Sequence, residues 1–288
     1  MMNKIAISSG KGGVGKSMLT SALATLFSRE KKVVAVDCDV DAPNLAIWLN
    51  EEKEWESIEK VSTSSKAVIN HDKCDGCGLC AQKCRFNAIK MVNGKPVVNN
   101  LLCEGCGACE VLCPKKAIHL EPVKNGEIRM KEIEPGFNLV SGQLYPGETG
   151  SGKIVSEIKK EAEKIDHELM VIDSSPGTGC PVIAALRDVD FVVLVTEPTL
   201  SGFSDLKRVL EVINHFQIPF AVVVNKWEVN EKMGNDIKEW AGERFIGKIS
   251  YDQKIFNAVA NLVPILETDL KAKEELENIF NNLKNKLL

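Results

Sequence analysis

Eight of the chain's ten cysteines lie between Cys74 and Cys113, and they are laid out twice in one spacing. Cys74-Asp-Gly-Cys77-Gly-Leu-Cys80-x3-Cys84 is echoed 29 residues later by Cys103-Glu-Gly-Cys106-Gly-Ala-Cys109-x3-Cys113. Each copy is followed at the same distance by an Ala-Ile pair, Ala88-Ile89 and Ala117-Ile118. A secreted disulfide framework would be small and would follow a signal peptide. The N-terminal MMNKIAISSGKGG instead runs into glycines without a long apolar core, so metal ligation explains the thiols better. Four-cysteine zinc sites use C-x2-C pairs separated by a longer loop. Three thiols in C-x2-C-x2-C cannot easily all point away from a shared centre, and they suit one face of a cuboidal iron–sulfur cluster. Zinc loading is the competing reading. Glycines inside the motifs leave backbone N–H groups free to turn toward cluster sulfurs. Between the copies, MVNGKPVV reads as a hairpin around Asn93-Gly94.

Outside this segment the pattern changes to short buried-type strands alternating with helices. Ile5 to Ile7 and Lys32 to Val36 are apolar runs, and between them Leu19, Ala22, Leu23, Leu26 and Phe27 mark one helix face. From about residue 136 onward, Leu169 to Ile172, Phe191 to Val195 and Phe220 to Val224 suit central parallel strands, with helical spacing over 151–165, 204–216 and 269–287. Asn138 to Leu144 carries a weak strand signal at best. Strands without polar alternation joined by helices imply a parallel sheet covered on both faces. The expectation is a doubly wound α/β domain formed by residues 1–66 and 123–288, interrupted by an inserted module at 67–122.

Gly10-Lys11-Gly12-Gly13-Val14-Gly15-Lys16-Ser17 fits G-x-x-x-x-G-K-[ST] and lies between a strand and a helix, the context of a phosphate-binding loop. Glycines let consecutive N–H groups turn around phosphates, and the helix N-terminus adds positive potential. Lys16 would reach the β and γ oxygens and the Ser17 hydroxyl would ligate Mg²⁺. A second near-match, Gly147 to Ile154, puts Ile154 where the metal-binding hydroxyl belongs; it reads as a helix start, with Lys153 structural.

The extra lysine narrows the family. KGGVGKS resembles the deviant phosphate loop of the MinD, ParA, Mrp and nitrogenase iron-protein group of P-loop ATPases. That resemblance implies ATP and Mg²⁺ as ligands and a homodimer in which Lys11 reaches the partner's nucleotide. Asp37-Cys38-Asp39-Val40-Asp41-Ala42-Pro43-Asn44 looks like the group's first switch, with Asp39 orienting water and Asp37 supporting Mg²⁺, although either aspartate suits either role. Asp173 to Gly179 looks like the second switch, with Asp173 near the metal. Asn225 occupies the base-contacting position, and Asn225-Lys226-Trp227-Glu228 is only a faint match to a guanine-reading loop. The cysteine segment is similar to bacterial two-cluster ferredoxins, in which the fourth cysteine of each set ligates the other cluster. By that similarity Cys74, Cys77, Cys80 and Cys113 hold one [4Fe–4S] cluster and Cys103, Cys106, Cys109 and Cys84 the second. Pro114 follows Cys113 as in that pattern; Arg85 follows Cys84 and departs from it, adding positive charge. The fold class implied is a MinD-like P-loop domain with an inserted α+β bacterial-type ferredoxin domain.

Two cysteines stand apart. Cys38 sits between aspartates at a strand end and reads as packing. Cys180 lies seven residues after Asp173, where the nitrogenase iron protein has a cysteine for a cluster shared between subunits. A symmetric dimer would bring two Cys180 thiols to a labile metal or cluster; the alternative is a small buried residue capping a helix. The second cysteine that enzyme uses has no counterpart around 141–152.

Composition excludes several classes. Hydrophobic residues make up 44% and charged residues 26% of 288, so the chain is not disordered. A net charge of -4 gives no reason to expect nucleic acid as the main partner. No apolar run reaches the length of a membrane span, and the tail helix mixes Glu274, Glu275 and Glu277 with Lys284 and Lys286 where a membrane-lying helix would be basic. A cytoplasmic protein is expected, and the tail helix should pack on the sheet. Residues 71–122 hold seven Lys/Arg and five Asp/Glu, so a redox partner would present an acidic patch. Three functions follow: ATP-gated electron transfer through the clusters to a redox or metal-cluster partner protein, an ATP-dependent carrier or scaffold for metal–sulfur clusters, and a positioning ATPase with structural or redox-sensing clusters. Carriers of the Mrp type have a C-x2-C near the C-terminus; this chain has none.

Overall fold

A computed structural model describes residues 3–51, 54–134 and 136–287. The chain opens with β1 (Lys4–Ser8), α1 (Lys16–Ser28), β2 (Val33–Cys38) and the short α2 (Leu45–Trp48). The middle section contains β3 (Ser57–Val61), β4 (Ser64–Ile69), α3 (Leu79–Lys83), β5 (Ile89–Val92), β6 (Lys95–Val98), α4 (Ala108–Leu112) and β7 (Ile118–Val123). Then follow β8 (Gly126–Ile133), β9 (Phe137–Leu144), α5 (Ser151–Glu163), β10 (Leu169–Ser174), α6 (Cys180–Leu186), β11 (Phe191–Thr196), α7 (Leu200–His215) and β12 (Phe220–Val224). The chain ends with α8 (Glu231–Ala241), β13 (Phe245–Lys248), α9 (Gln253–Ala260) and α10 (Lys271–Leu287).

Two compact units result: Met1–Ile58, Ile128–Gln143 and Ser151–Leu288 form the first, and Glu59–Glu127 with Leu144–Gly150 the second. The main sheet has the order β13-β12-β11-β1-β10-β2-β9-β8-β3. From β13 to β9 every neighbouring pair is parallel. Side chains of β2, β10 and β11 are buried throughout, as strands covered on both faces require. Chain order reverses at β1, which pairs with β10 on one side and β11 on the other. In open α/β sheets ligands bind at such a switch point, outside the carboxyl ends of the strands.

One sequence expectation is corrected and another is met. Asn138 to Leu144, read as a weak strand at best, lies within β9, which pairs with β2 in parallel and buries Phe137, Leu139 and Val140. Ser141 and Gly142 diluted its apolar signal, but a strand covered on both faces tolerates small residues. The tail helix α10 buries Ala272, Leu276, Ile279, Phe280 and Leu283, and the Phe280 ring meets Phe27 edge-on at 4.8 Å between centroids. Among the described residues no helix is long and apolar enough to cross a membrane.

The second unit is built from the sequence repeat. β4-α3-β5 and β6-α4-β7 are its two copies, and they pair crosswise: β4 with β7 and β5 with β6, both antiparallel. Asn93 (φ 49°) and Gly94 (φ 76°) form the two-residue turn of the β5–β6 hairpin, both in the left-handed region that such a turn needs. The glycine two residues after each first cysteine is obligatory for packing. A Cβ on Gly76 would lie 2.5 Å from the Gly94 carbonyl oxygen, and one on Gly105 would lie 2.1 Å from that of Ser65.

Candidate functional site

The phosphate loop leaves β1 at Ser8 and enters α1 at Lys16. Strand register places Ile7 beside Asp173 and Asp173 beside Asp37, so the loop and both aspartates share one rim of the sheet. Gly15 adopts φ 92°, and a Cβ there would lie 2.1 Å from Asn225 Nδ2. Only glycine permits that approach, and it lets Asn225 Nδ2 donate to the Val14 carbonyl at 2.8 Å. Asn225 thus fastens the loop while lining the same cavity, and its Oδ1 accepts the Lys226 backbone N–H.

That cavity is about 230 Å³ and is lined by Gly12, Gly13, Gly15, Lys16, Ser17 and Asp39, among others. Part of its lining comes from a segment that sequence reasoning missed: Ser250, Tyr251, Asp252, Ile255 and Phe256. Its only signal was the exposed-type aromatics Tyr251 and Phe256 near a helix start, which resemble ordinary surface residues in sequence.

At the base of the cavity Lys16 Nζ pairs with Asp173 Oδ1 at 2.7 Å, and Thr20 Oγ1 donates to the same oxygen at 2.9 Å. Burial opposes the charge on Lys16, but Asp173 outweighs it, and the ammonium is held more firmly than usual. Asp173 Oδ2 is buried without a hydrogen-bond partner in the protein. An orphaned buried carboxylate oxygen paired through its other oxygen with the phosphate-loop lysine fits a divalent cation, and Ser17 lines the adjoining cavity.

The two switch aspartates differ. Asp37 is buried and accepts backbone N–H groups from Asp39, Asn44 and Leu45, each at 3.0 Å. It is a staple for the loop after β2, and burial with the nearby Asp173 charge pushes it up to about 7. Asp39 faces the cavity, and burial pushes it up to about 6. Cys38 between them is fully buried, and its thiol is pushed well up by burial.

Lys11 is held within its own chain. Its Nζ reaches Glu197 Oε1 at 2.6 Å, and Lys226 Nζ reaches Oε2 at 3.4 Å and the Gly13 carbonyl at 2.8 Å. Burial opposes ionisation of Glu197, but the two lysines outweigh it and hold its pKa below the ordinary value. Glu197 was not legible as a site residue, because a lone acid after a strand carries no motif. Cys180 begins α6 and is exposed, which overturns the buried helix-capping alternative. Gly152 at the start of α5 packs so closely that a Cβ would lie 3.1 Å from the Cys180 carbonyl oxygen.

In the second unit two cavities separate the eight thiols. Cys74, Cys77, Cys80 and Cys113 line one; Cys84, Cys103, Cys106 and Cys109 line the other, which is about 320 Å³. Each cavity takes three cysteines from one repeat and its fourth from the other. All eight are free thiols. Among the described residues no three His, Cys, Asp or Glu side chains converge on a single-ion position; thiols that bind different irons of one cuboidal cluster need not do so. The repeated alanines have a role here: the Ala88 N–H points at Cys84 Sγ (3.4 Å) and the Ala117 N–H at Cys113 Sγ (3.3 Å). Four thiols, apolar walls and N–H groups aimed at sulfur suit a cuboidal iron–sulfur group.

Fold and loop together define a P-loop nucleotide-binding protein of the doubly wound α/β class. The chain belongs to the CobQ/CobB/MinD/ParA nucleotide binding domain family, whose profile matches residues 5–265. An uncharacterised protein of Methanocaldococcus jannaschii is 39% identical over 98% of this chain and 96% of its own length. An iron-sulfur cluster carrier protein of Pyrococcus abyssi is 25% identical over 99% of this chain and 86% of its own. Among solved structures, the septum site-determining protein MinD of Pyrococcus horikoshii complexed with Mg-ADP superposes with a TM-score of 0.62 at 17% identity, covering 100% of this chain and 98% of that one.

Proposed function

We propose that this protein is an iron–sulfur P-loop ATPase that dimerises around two ATP molecules and couples nucleotide state to electron transfer through two [4Fe–4S] clusters. The single observation that carries the reading is the crossed sorting of eight thiols into two four-cysteine cavities, in a chain with a complete phosphate loop. The ferredoxin-like domain inserted at 67–122 falls within the second unit, and residues 1–66 and 123–288, apart from the flanks 59–66, 123–127 and 144–150 that belong to that unit, form the ATPase. The clusters, when bound, take up and release single electrons; the cysteines hold them, and the alanine N–H groups stabilise charge on the ligand sulfurs.

At the nucleotide, Lys16 exchanges Asp173 for phosphate oxygens, and backbone N–H groups of residues 12–17 bind the anhydride. Ser17 and Asp173 hold Mg²⁺, which neutralises phosphate charge when bound. Asp39 positions the attacking water, Asp37 keeps that loop in place, and Asn225 anchors the loop beneath the base. Lys11 leaves Glu197 to reach across the dimer. The segments carrying Asp39 and Asp173 follow the γ-phosphate and relay its presence.

A carrier of clusters is the second reading, supported by relatives named iron-sulfur cluster carrier proteins and by the exposed Cys180. An anaerobic EPR-monitored redox titration with and without ATP·Mg²⁺ separates the two. A nucleotide-dependent shift of about 59 mV, tenfold in equilibrium for one electron, supports gating. Identical potentials in both states, with iron released to an apo-acceptor on ATP addition, would replace gating with carriage. Cys113→Ser should strip the Cys74 group and Cys84→Ser the Cys103 group, the reverse of what the linear motifs suggest.

A further inference from the structure

The repeat that crosses the fourth cysteines also crosses two lysines. Lys66 and Lys95 occupy equivalent positions, 29 residues apart. Lys66 Nζ donates to the carbonyl of Cys103 at 3.0 Å, and Lys95 Nζ donates to the carbonyl of Cys74 at 2.7 Å. Each lysine therefore sits beside the first cysteine of the other repeat. Their surroundings differ. The Lys66 side chain is 4% exposed and ion-paired to Glu148 at 3.1 Å, whereas Lys95 is exposed. A second difference falls on the next residue. The Ala67 N–H points at Cys103 Sγ at 3.5 Å; its counterpart is Pro96, which has no N–H to offer Cys74.

We propose that Lys66 sets the two clusters apart, holding the one ligated by Cys84, Cys103, Cys106 and Cys109 at the higher reduction potential, with Glu148 as the counter-charge that limits the difference. The inference rests on the cluster reading above. Adding one electron to a cluster adds one negative charge. A cation in a low-dielectric interior stabilises that charge far more than one in water, and an N–H aimed at a ligand sulfur acts in the same direction. Exposed charges also line both cavities, Lys83, Arg85 and Glu104 on one side and Asp75 and Lys115 on the other; solvent screens them. An electron shared between the two clusters resides on the Cys103 group at equilibrium. Glu148 belongs to the segment Leu144–Gly150, which runs directly into α5 at Ser151, so a change in that segment would alter how fully Lys66 is compensated.

The test is a mediator-controlled EPR titration of the full chain, with couples assigned through Cys113→Ser and Cys84→Ser and with iron and sulfide counted first. About eight irons per chain is the content of two four-iron clusters. Lys66→Met should lower the Cys103-group couple at least tenfold in equilibrium constant, about 59 mV. Lys95→Met should move the Cys74-group couple by less than half that in millivolts, and Glu148→Gln should raise the Cys103-group couple. Lys66→Met/Glu148→Gln, which removes both members of the pair, keeps the test open if a single variant fails to fold; it should return the couple toward the native value. Equal shifts from the two lysine variants, or a Cys103-group couple unmoved by Lys66→Met at full iron content, would overturn the proposal alone. Absence of iron and sulfide from anaerobically prepared native protein would overturn the cluster reading and this proposal with it.

Discussion

Lys16→Met tests whether the nucleotide site is held together by its own ion pair before any ligand arrives. The Lys16 side chain is 6% exposed and Asp173 fully buried, 2.7 Å apart. Without the lysine, Asp173 keeps the Thr20 hydroxyl as a partner while its other oxygen remains unpartnered. Asp37 lies close enough for its charge to act on Lys16 as well, so two buried carboxylates lose their common cation. Removing one member of a buried pair costs roughly 3–5 kcal/mol. At about 2–4 °C per kcal/mol for a domain near this size, the first unit should melt roughly 6–20 °C lower. Thermal unfolding by circular dichroism, with hydrogen exchange in α1 and β10 to assign the transition, reads this in nucleotide-free anaerobic protein. Lys16→Met/Asp173→Asn removes both charges and should recover most of the loss, because the desolvation cost disappears with them. A single variant within about 1 kcal/mol of the parent, the worth of an exposed pair, would refute the reasoning. So would a double variant no more stable than the single one.

Four further outcomes follow from the same rim of the sheet. Asp37 and Asp39 are raised to about 7 and about 6, so the fold binds their protons more tightly than the unfolded chain. Their ionisation therefore costs stability as pH rises, and the nucleotide-free melting temperature should climb as pH falls through 7 and 6, less so in Asp39→Asn. Asp39 positions water as a carboxylate, so the ATPase rate should fall as it is protonated over the same window, a dependence that a rate–pH profile measures. Glu197→Gln releases Lys11 from its 2.6 Å pair and should lower the ATP concentration needed for dimerisation by about fivefold or less, read by sedimentation; weaker dimerisation would count against the dimer-crossing role. Asn225→Ala removes the 2.8 Å bond to Val14 and should weaken nucleotide binding by about tenfold, on the order of 1 kcal/mol, as calorimetry would show.

The phosphate loop and the positions of the switch aspartates were legible because each is a local motif whose spacing encodes its geometry; the crossed grouping of the cysteines came instead from the resemblance to two-cluster ferredoxins, because each set draws its fourth member from the other repeat. The lining of the nucleotide cavity by Ser250 to Phe256 was not, since it depends on where β13 delivers the chain, and nothing within that segment records it. Strand β9 was under-read for a related reason. Its Ser141 and Gly142 are compatible with a strand only because both faces are covered, and cover is a property of neighbours distant in sequence. The state of Lys11 was also invisible. The loop motif predicts what that lysine reaches when nucleotide is bound, but Glu197, which holds it meanwhile, lies 186 residues away.

The cysteine repeat shows how far a sequence symmetry can be trusted. Offset by 29 residues, the eight cysteines, the motif glycines and the pair Lys66 and Lys95 match, and that match alone would predict two equivalent halves. Crosswise pairing of β4 with β7 and β5 with β6 means each half is completed by the other, so equivalence would require identical partners in exchange. Ala67 and Pro96 break it at one position and the burial of Lys66 at another. Backbone symmetry is thus kept around the cysteines and broken at two substitutable positions, both beside Cys103. On the two-cluster reading proposed above, a pair at equal potential would give an electron no preferred end, and these two differences would give it one.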